Sequence, residues 1–299
     1  MEHVHFTERP VLRDPILIAA FAGWNDAAGA ATFAVRYLLR QWSARRFGSI
    51  DPEDFYLFTE TRPTVQLIDG QERELEWPSN ELYYHRDALS GRDFIALVGV
   101  EPNLKWRTYC GIIQDLVREH KVTAAVTVGS MLNDVPHTTP ARVVGYSTDP
   151  ALSEKLRRLN VQAASYEGPT GIVSVVNNTL RAEGVSVSSL WGNVPRYLPA
   201  IPSPKVSAAL LRRLTALLEI IIDLTEIEAL AITYDTNIAE AVARNPDVAA
   251  YVRRLEDRER ELATEDQDRH SRSLGPLSTN ALMRELEEFL KRQRQGDQP

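Results

Sequence analysis

From Ile16 to Phe21 the chain runs apolar without alternation, which is the pattern of a strand covered on both faces in a mostly parallel sheet. Past Asp26 the period changes to that of a helix. Ala31, Val35, Leu38, Leu39 and Trp42 fall on one stripe and Arg36 and Arg40 on another, so this strand feeds a helix that packs back on the sheet. The buried-strand pattern returns at Phe94–Val100, Thr123–Gly129, Arg142–Ser147 and Val185–Trp191, with helices expected over 105–120 and 152–159. A further short strand is expected at Phe55–Thr59, after a turn at Gly48–Asp54. The polar and aromatic stretch Arg62–Asp87, broken by Pro63, Asp69-Gly70 and Pro78, reads as a hairpin excursion with strands at Val65–Ile68 and Leu82–Tyr84. Met131–Pro140 and the proline-rich Val194–Pro204 read as loops. The alternation is that of an α/β fold.

Beyond Pro204 the pattern is helical only. Val206, Leu210, Leu214, Leu217 and Ile221 share one face, Thr225 and Glu228 form a capping-box pair, and Asn245-Pro246 starts another helix. Ala263–Ser278 is polar and without period and is expected to be a flexible linker. Leu282, Met283, Leu286, Phe289 and Leu290 then form an apolar face, expected to dock on its own chain or on a sister subunit. These patterns divide the chain into an α/β domain over 1–222 and a helical extension over 223–299.

Composition narrows the class. A 43% apolar share and 25% charged share are ordinary for a globular protein. The net charge of −7 argues against nucleic-acid binding, which needs a basic face. No apolar run is long enough to span a bilayer, and Met1–Pro10 lacks a signal-peptide pattern. The single cysteine, Cys110, excludes an internal disulfide and suits the cytoplasm; behind Trp106 and Tyr109 in a helix, it reads as a buried, inert thiol.

Chemistry is sought at the glycine-bearing turns after strands, where open α/β sheets bind ligands. The first, Gly23-Trp24-Asn25-Asp26-Ala27-Ala28-Gly29, matches neither the P-loop nor the dinucleotide pattern. Asp26 stands where it would satisfy the first free amides of the helix, and its charge opposes a phosphate there. Gly23 is expected to supply an unusual backbone angle and Gly29 close packing. Trp24 calls for an apolar wall, a ligand or a partner chain. The second turn is Gly129-Ser130, followed by Asp134 and His137; three polar residues in one loop do not make a triad. The third runs through Glu167, Gly168, Thr170 and Gly171, with Thr170 placed to cap the next helix. These residues form the candidate pocket. His3 and His5 alternate as on a strand but read as a solvated terminus, and no His or Cys spacing points to a metal or a cofactor.

Gly23-Trp24-Asn25-Asp26-Ala27-Ala28-Gly29-Ala30-Ala31 after Ile16–Phe21, then Val128-Gly129-Ser130, then Glu167-Gly168-Pro169-Thr170-Gly171-Ile172, together resemble the PAC2 family. That family is named for a proteasome assembly chaperone subunit, and the helical tail is similar to its uncharacterised actinobacterial branch. The resemblance covers Asp14 to Ile222. It implies a three-layer α/β/α domain with a mostly parallel mixed sheet, of the phosphorylase/hydrolase-like type, and a homo-oligomer, with a trimer the expected form. It places no catalytic residues on this chain. Two functions follow. The preferred one is a non-enzymatic assembly or scaffold protein presenting Trp24, the hairpin excursion and the terminal helix to partners such as proteasome or ring-ATPase subunits. The other is a binding protein or enzyme for a nucleoside-like or phosphorylated small molecule, with its pocket at the three turns.

Overall fold

The computed structural model of the chain describes residues 3–68, 72–164 and 166–273. The chain divides into two compact units at Ala249. The first holds β1 (Val4–Phe6), β2 (Ile16–Ala22), a 3-10 turn (Ala27–Gly29), α1 (Ala30–Gln41), β3 (Arg45–Ile50), β4 (Thr64–Ile68), β5 (Glu72–Glu76), β6 (Asn80–Arg86) and β7 (Asp93–Val100). It continues through α2 (Trp106–His120), β8 (Ala124–Asn133), β9 (Val143–Ser147), α3 (Pro150–Arg158), β10 (Gln162–Ala163), α4 (Ile172–Ala182), β11 (Ser186–Pro195), α5 (Pro204–Leu218) and α6 (Thr225–Ala243). The last helix, α7 (Pro246–Ser273), begins where the first unit ends.

Nine strands make one mixed sheet in the order β1-β3-β6-β7-β2-β8-β11-β9-β10. Its centre is parallel: β2 pairs with β7 and β8, and β8 with β11 in a register running from Ala124–Ser186 to Asn133–Pro195. Leu17 to Phe21 are wholly buried because both faces are covered. Ile16, Ile18 and Ala20 pack towards α1, α3 and α5, and Leu17, Ala19 and Phe21 towards α2 and α4. Each large side chain so buried contributes about 1.5–3 kcal/mol. The sheet between two helical layers is the expected α/β/α architecture.

Several expectations are corrected. Phe55–Thr59 is not a strand. Phe55 is a fully buried plug whose carbonyl accepts from Asn103 and Leu104. The strand lies earlier, in β3, whose two arginines and single glycine disguised it; a Cβ on Gly48 would stand 2.9 Å from the His5 carbonyl. Leu82–Tyr84 belongs to the main sheet, in β6 between β3 and β7. The true partner of β4 is the charged β5, and the two form a sheet of their own. The Asp69-Gly70 turn between them lies outside the described residues.

The lead-in contains β1, paired antiparallel with β3, and His5 and His3 meet Asp51 and Asp54 at 3.1 and 3.5 Å. β8 runs on to Asn133, through the first part of the expected loop, because β11 pairs with it throughout. α5 ends at Leu218, leaving Ile221 exposed beyond its stripe. The capping box fails: Asp223 accepts from the Thr225 N–H at 2.9 Å, while Glu228 bonds Arg212 at 2.7 Å. α7 continues to Ser273, into the stretch read as a linker. The stripe from Leu282 to Leu290 lies outside the described residues, among which no helix is long and apolar enough to cross a membrane.

Candidate functional site

Adjacent strands β2 and β7 send their helices to opposite faces, α1 to one and α2 to the other. Divergence of this kind opens a crevice at the carboxyl ends of the strands. Here polar groups from the turns at that end of the sheet are hydrogen-bonded to one another.

Gly23 has φ +106°, a conformation suited to glycine, and its carbonyl accepts from the Asp26 N–H at 3.1 Å. The 3-10 turn then carries Ala28 and Gly29 at φ +53° and +61°. Gly29 is therefore required for its left-handed backbone and not for packing, since a Cβ there would meet nothing within 4 Å. The turn lifts α1 away, and the Asp26 carboxylate reaches across it: Oδ1 accepts from the Ala31 N–H at 2.6 Å, and Oδ2 from the Thr32 N–H at 3.3 Å and the Thr32 hydroxyl. Asp26 thus satisfies the free amides of α1 as expected, from further upstream than an ordinary cap. Burial pushes its carboxyl above the usual range, against hydrogen bonds that pull it down.

The second turn joins the first directly. Ser130 N–H donates to the Asn25 carbonyl at 2.9 Å, and Ser130 Oγ lies 3.1 Å from Asp26 Oδ1 and 2.9 Å from the Ala27 carbonyl. Gly129 lets the Trp191 ring lie against the strand, as a Cβ would stand 2.7 Å from it. Trp191 Nε1 donates in turn to Ser189 Oγ at 3.0 Å.

The third turn arrives through Gly171 and not through the residues before it. Asn25 is fully buried, and a Cβ on Gly171 would fall 2.2 Å from its Oδ1. Asn25 Nδ2 donates to Glu101 Oε1 at 2.8 Å, and the same oxygen accepts the Ile172 N–H at 2.7 Å. Glu101, not Thr170, serves the start of α4. Its own N–H is held by the Ala22 carbonyl at 2.9 Å.

The structure therefore brings Gly23, Asn25, Asp26, Ser130 and Gly171 together, with Gly129 one residue away. Asp134 is exposed and paired with Arg196 at 2.8 Å. Glu167, Gly168 and Thr170 are exposed on a loop closed by Tyr166 Oη donating to the Pro169 carbonyl. His137 Nδ1 bonds Tyr197 Oη at 2.7 Å, far in role from Ser130. Glu101 was missed; the available signal was an acid directly after the buried run Phe94–Val100, level with Gly23 because Val100 pairs with Ala22. Cys110 is buried and its thiol is pushed up to about 11 by desolvation, which leaves it un-nucleophilic. Among the described residues no group of three or more His, Cys, Asp or Glu is placed to hold a metal ion. Trp24 stands on the turn 60% exposed.

The PAC2 family model matches residues 20–242. The chain is similar to a PAC2 family protein of known structure from Streptomyces avermitilis, with 38% identity over 80% of this chain and 100% of that one, at a TM-score of 0.71. It is also similar to a proteasome-assembly chaperone homologue from Mycobacterium tuberculosis, with 36% identity over 79% and 99% of the two chains and a TM-score of 0.71. Pyrococcus furiosus PbaB, an archaeal proteasome activator, shares the fold at 21% identity and a TM-score of 0.64, over 81% and 99%. No functionally curated protein matches.

Proposed function

The chain belongs to the PAC2 family, and on that premise we propose that it is a non-enzymatic, homo-oligomeric protein-binding factor whose partners are proteasome subunits. One observation carries this reading. At the crevice where an α/β enzyme would present its chemistry, the Asp26, Ser130 and Glu101 side chains and the Asn25 Nδ2 are bonded to backbone groups and to each other, the buried Asn25 Oδ1 alone among these atoms having no hydrogen-bond partner, while Trp24 beside them faces solvent. Polar groups spent on the fold leave little for a substrate, and an exposed indole suits a protein partner.

Leu104 and Leu57 are also exposed, on segments tied to this turn by hydrogen bonds. Glu101 ties the Trp24 turn to the segment carrying exposed Leu104, and Leu104 and Leu57 are joined through Phe55 and Asn103. The names of the relatives supply the class of partner: an assembly-chaperone homologue and an archaeal activator. With the purified chain as bait in a native lysate, proteasome subunits are the expected capture, and Trp24→Ala is expected to reduce it. Failure to recover them, or indifference to Trp24→Ala, overturns the reading. Sedimentation velocity of the full chain tests the homo-oligomer separately.

A further inference from the structure

Among the described residues the β4–β5 ribbon is a sheet apart from the main one, and each of its strands has one edge to which no described strand pairs. A two-stranded ribbon is marginal in water, and a third strand or a packed face is what stabilises it. The register Val65–Leu75, Leu67–Arg73 and Gln66–Glu74 sorts the side chains. Val65, Leu67 and Leu75 lie on one face, exposed by 55%, 62% and 55%, and share it with Arg73. Glu74 and Glu76 lie on the other with Ile68, and there Gln66 Nε2 donates to Glu76 at 2.6 Å. At its base Trp77 meets Phe58 edge to face at 4.9 Å, which anchors the ribbon to the segment that carries Leu57.

We infer that β5 receives a strand from a partner protein, an extended segment in which basic and apolar residues alternate. The free edge supplies backbone hydrogen bonds, as in other strand additions. Period-2 geometry then sets the sequence of the incoming segment: its apolar side chains extend the face of Val65, Leu67 and Leu75, beside Leu75 and the aliphatic stem of Arg73, and its basic ones stand opposite Glu74 and Glu76. The same charges argue against a second copy of this chain. β5 reads Glu-Arg-Glu-Leu-Glu, so two copies paired antiparallel about Glu74 would set glutamate against glutamate.

The inference rests on the protein-binding reading only in requiring a partner. Its test uses the full chain and a fluorescein-labelled peptide, Lys-Val-Lys-Val-Lys-Val-Lys, read by fluorescence anisotropy, with hydrogen exchange at the β5 amides as a second measurement. Saturable binding with slowed exchange in β5 is expected. A scrambled peptide of the same composition, which keeps the charge but loses the alternation, should bind about tenfold more weakly or worse. The surface variant Glu74→Lys/Glu76→Lys should lose the lysine peptide and take up the Glu-Val counterpart instead. Equal affinity for the scrambled peptide, no binding, or an unmoved preference in the charge-reversed variant overturns the inference. Proteasome recovery separates the two claims. Wild-type chain that recovers proteasome subunits but binds no alternating peptide leaves the protein-binding reading standing and overturns strand addition. Chain that binds the peptide with β5 protection but recovers no proteasome subunit leaves strand addition standing and overturns the proteasome reading.

Discussion

Asn25 lies so close to Gly171 that a Cβ at 171 would stand 2.2 Å from the asparagine Oδ1. Two loops far apart in the chain are thereby locked face to face, with Glu101 bonded to both. Gly171→Ala should destabilise the protein by about 1–3 kcal/mol, as overpacking does in a filled interior. Urea unfolding checks this. In a double-mutant cycle with Asn25→Ala, which empties the space, part of the loss should return.

Glu101→Ala leaves the Asn25 amide and the Ile172 N–H without their acceptor. A loss of about 1–3 kcal/mol is expected from these unsatisfied donors. Glu101→Gln keeps an acceptor oxygen and gives up only the charge at the start of α4, so its loss should be about 0.3–1 kcal/mol. Urea midpoints of the two variants rank them.

Asp26 should make stability depend on pH in the sense opposite to most carboxylates. Burial raises its folded value above 3.8, so the folded state keeps a proton that the unfolded chain has released. Stability attributable to this group is present at low pH. It falls as pH rises from the unfolded value through the raised folded one, and is level above that. Asp26→Asn should remove that decline. Unfolding free energies of both proteins across mildly acidic pH test it: the wild-type advantage over the variant should shrink as pH rises.

Cys110 should ignore thiol reagents in the native protein. It is buried, and its thiol is pushed up to about 11. With a chromogenic disulfide at pH 8 no colour should develop until denaturant is added; rapid native labelling would count against the placement of α2.

The most readable parts of the chain were those whose environment is uniform. β2 and β7 are buried on both faces, and continuous apolar runs marked them. β3 and β6 are half exposed and antiparallel, and Arg45, Arg46, His85 and Arg86 broke any simple run, so one was missed and the other assigned to the wrong hairpin. β5 is fully exposed where described, and its glutamates resembled a loop.

Of the candidate site, Asp26 was legible because its service to α1 is local: donor amides follow within six residues. Thr170 was the reasonable local cap for α4, yet the bond went to Glu101, 71 residues from Ile172. Local spacing along the chain determined the α/β alternation, the central strands and the glycine turns, because burial period and backbone angle are set by neighbouring residues. Which turns touch, which acid serves which helix, and whether the crevice stays open were decided only by tertiary structure. Those outcomes depend on strand order and on helices leaving β2 and β7 towards opposite faces, and contacts at such separations leave no periodic trace in a single chain.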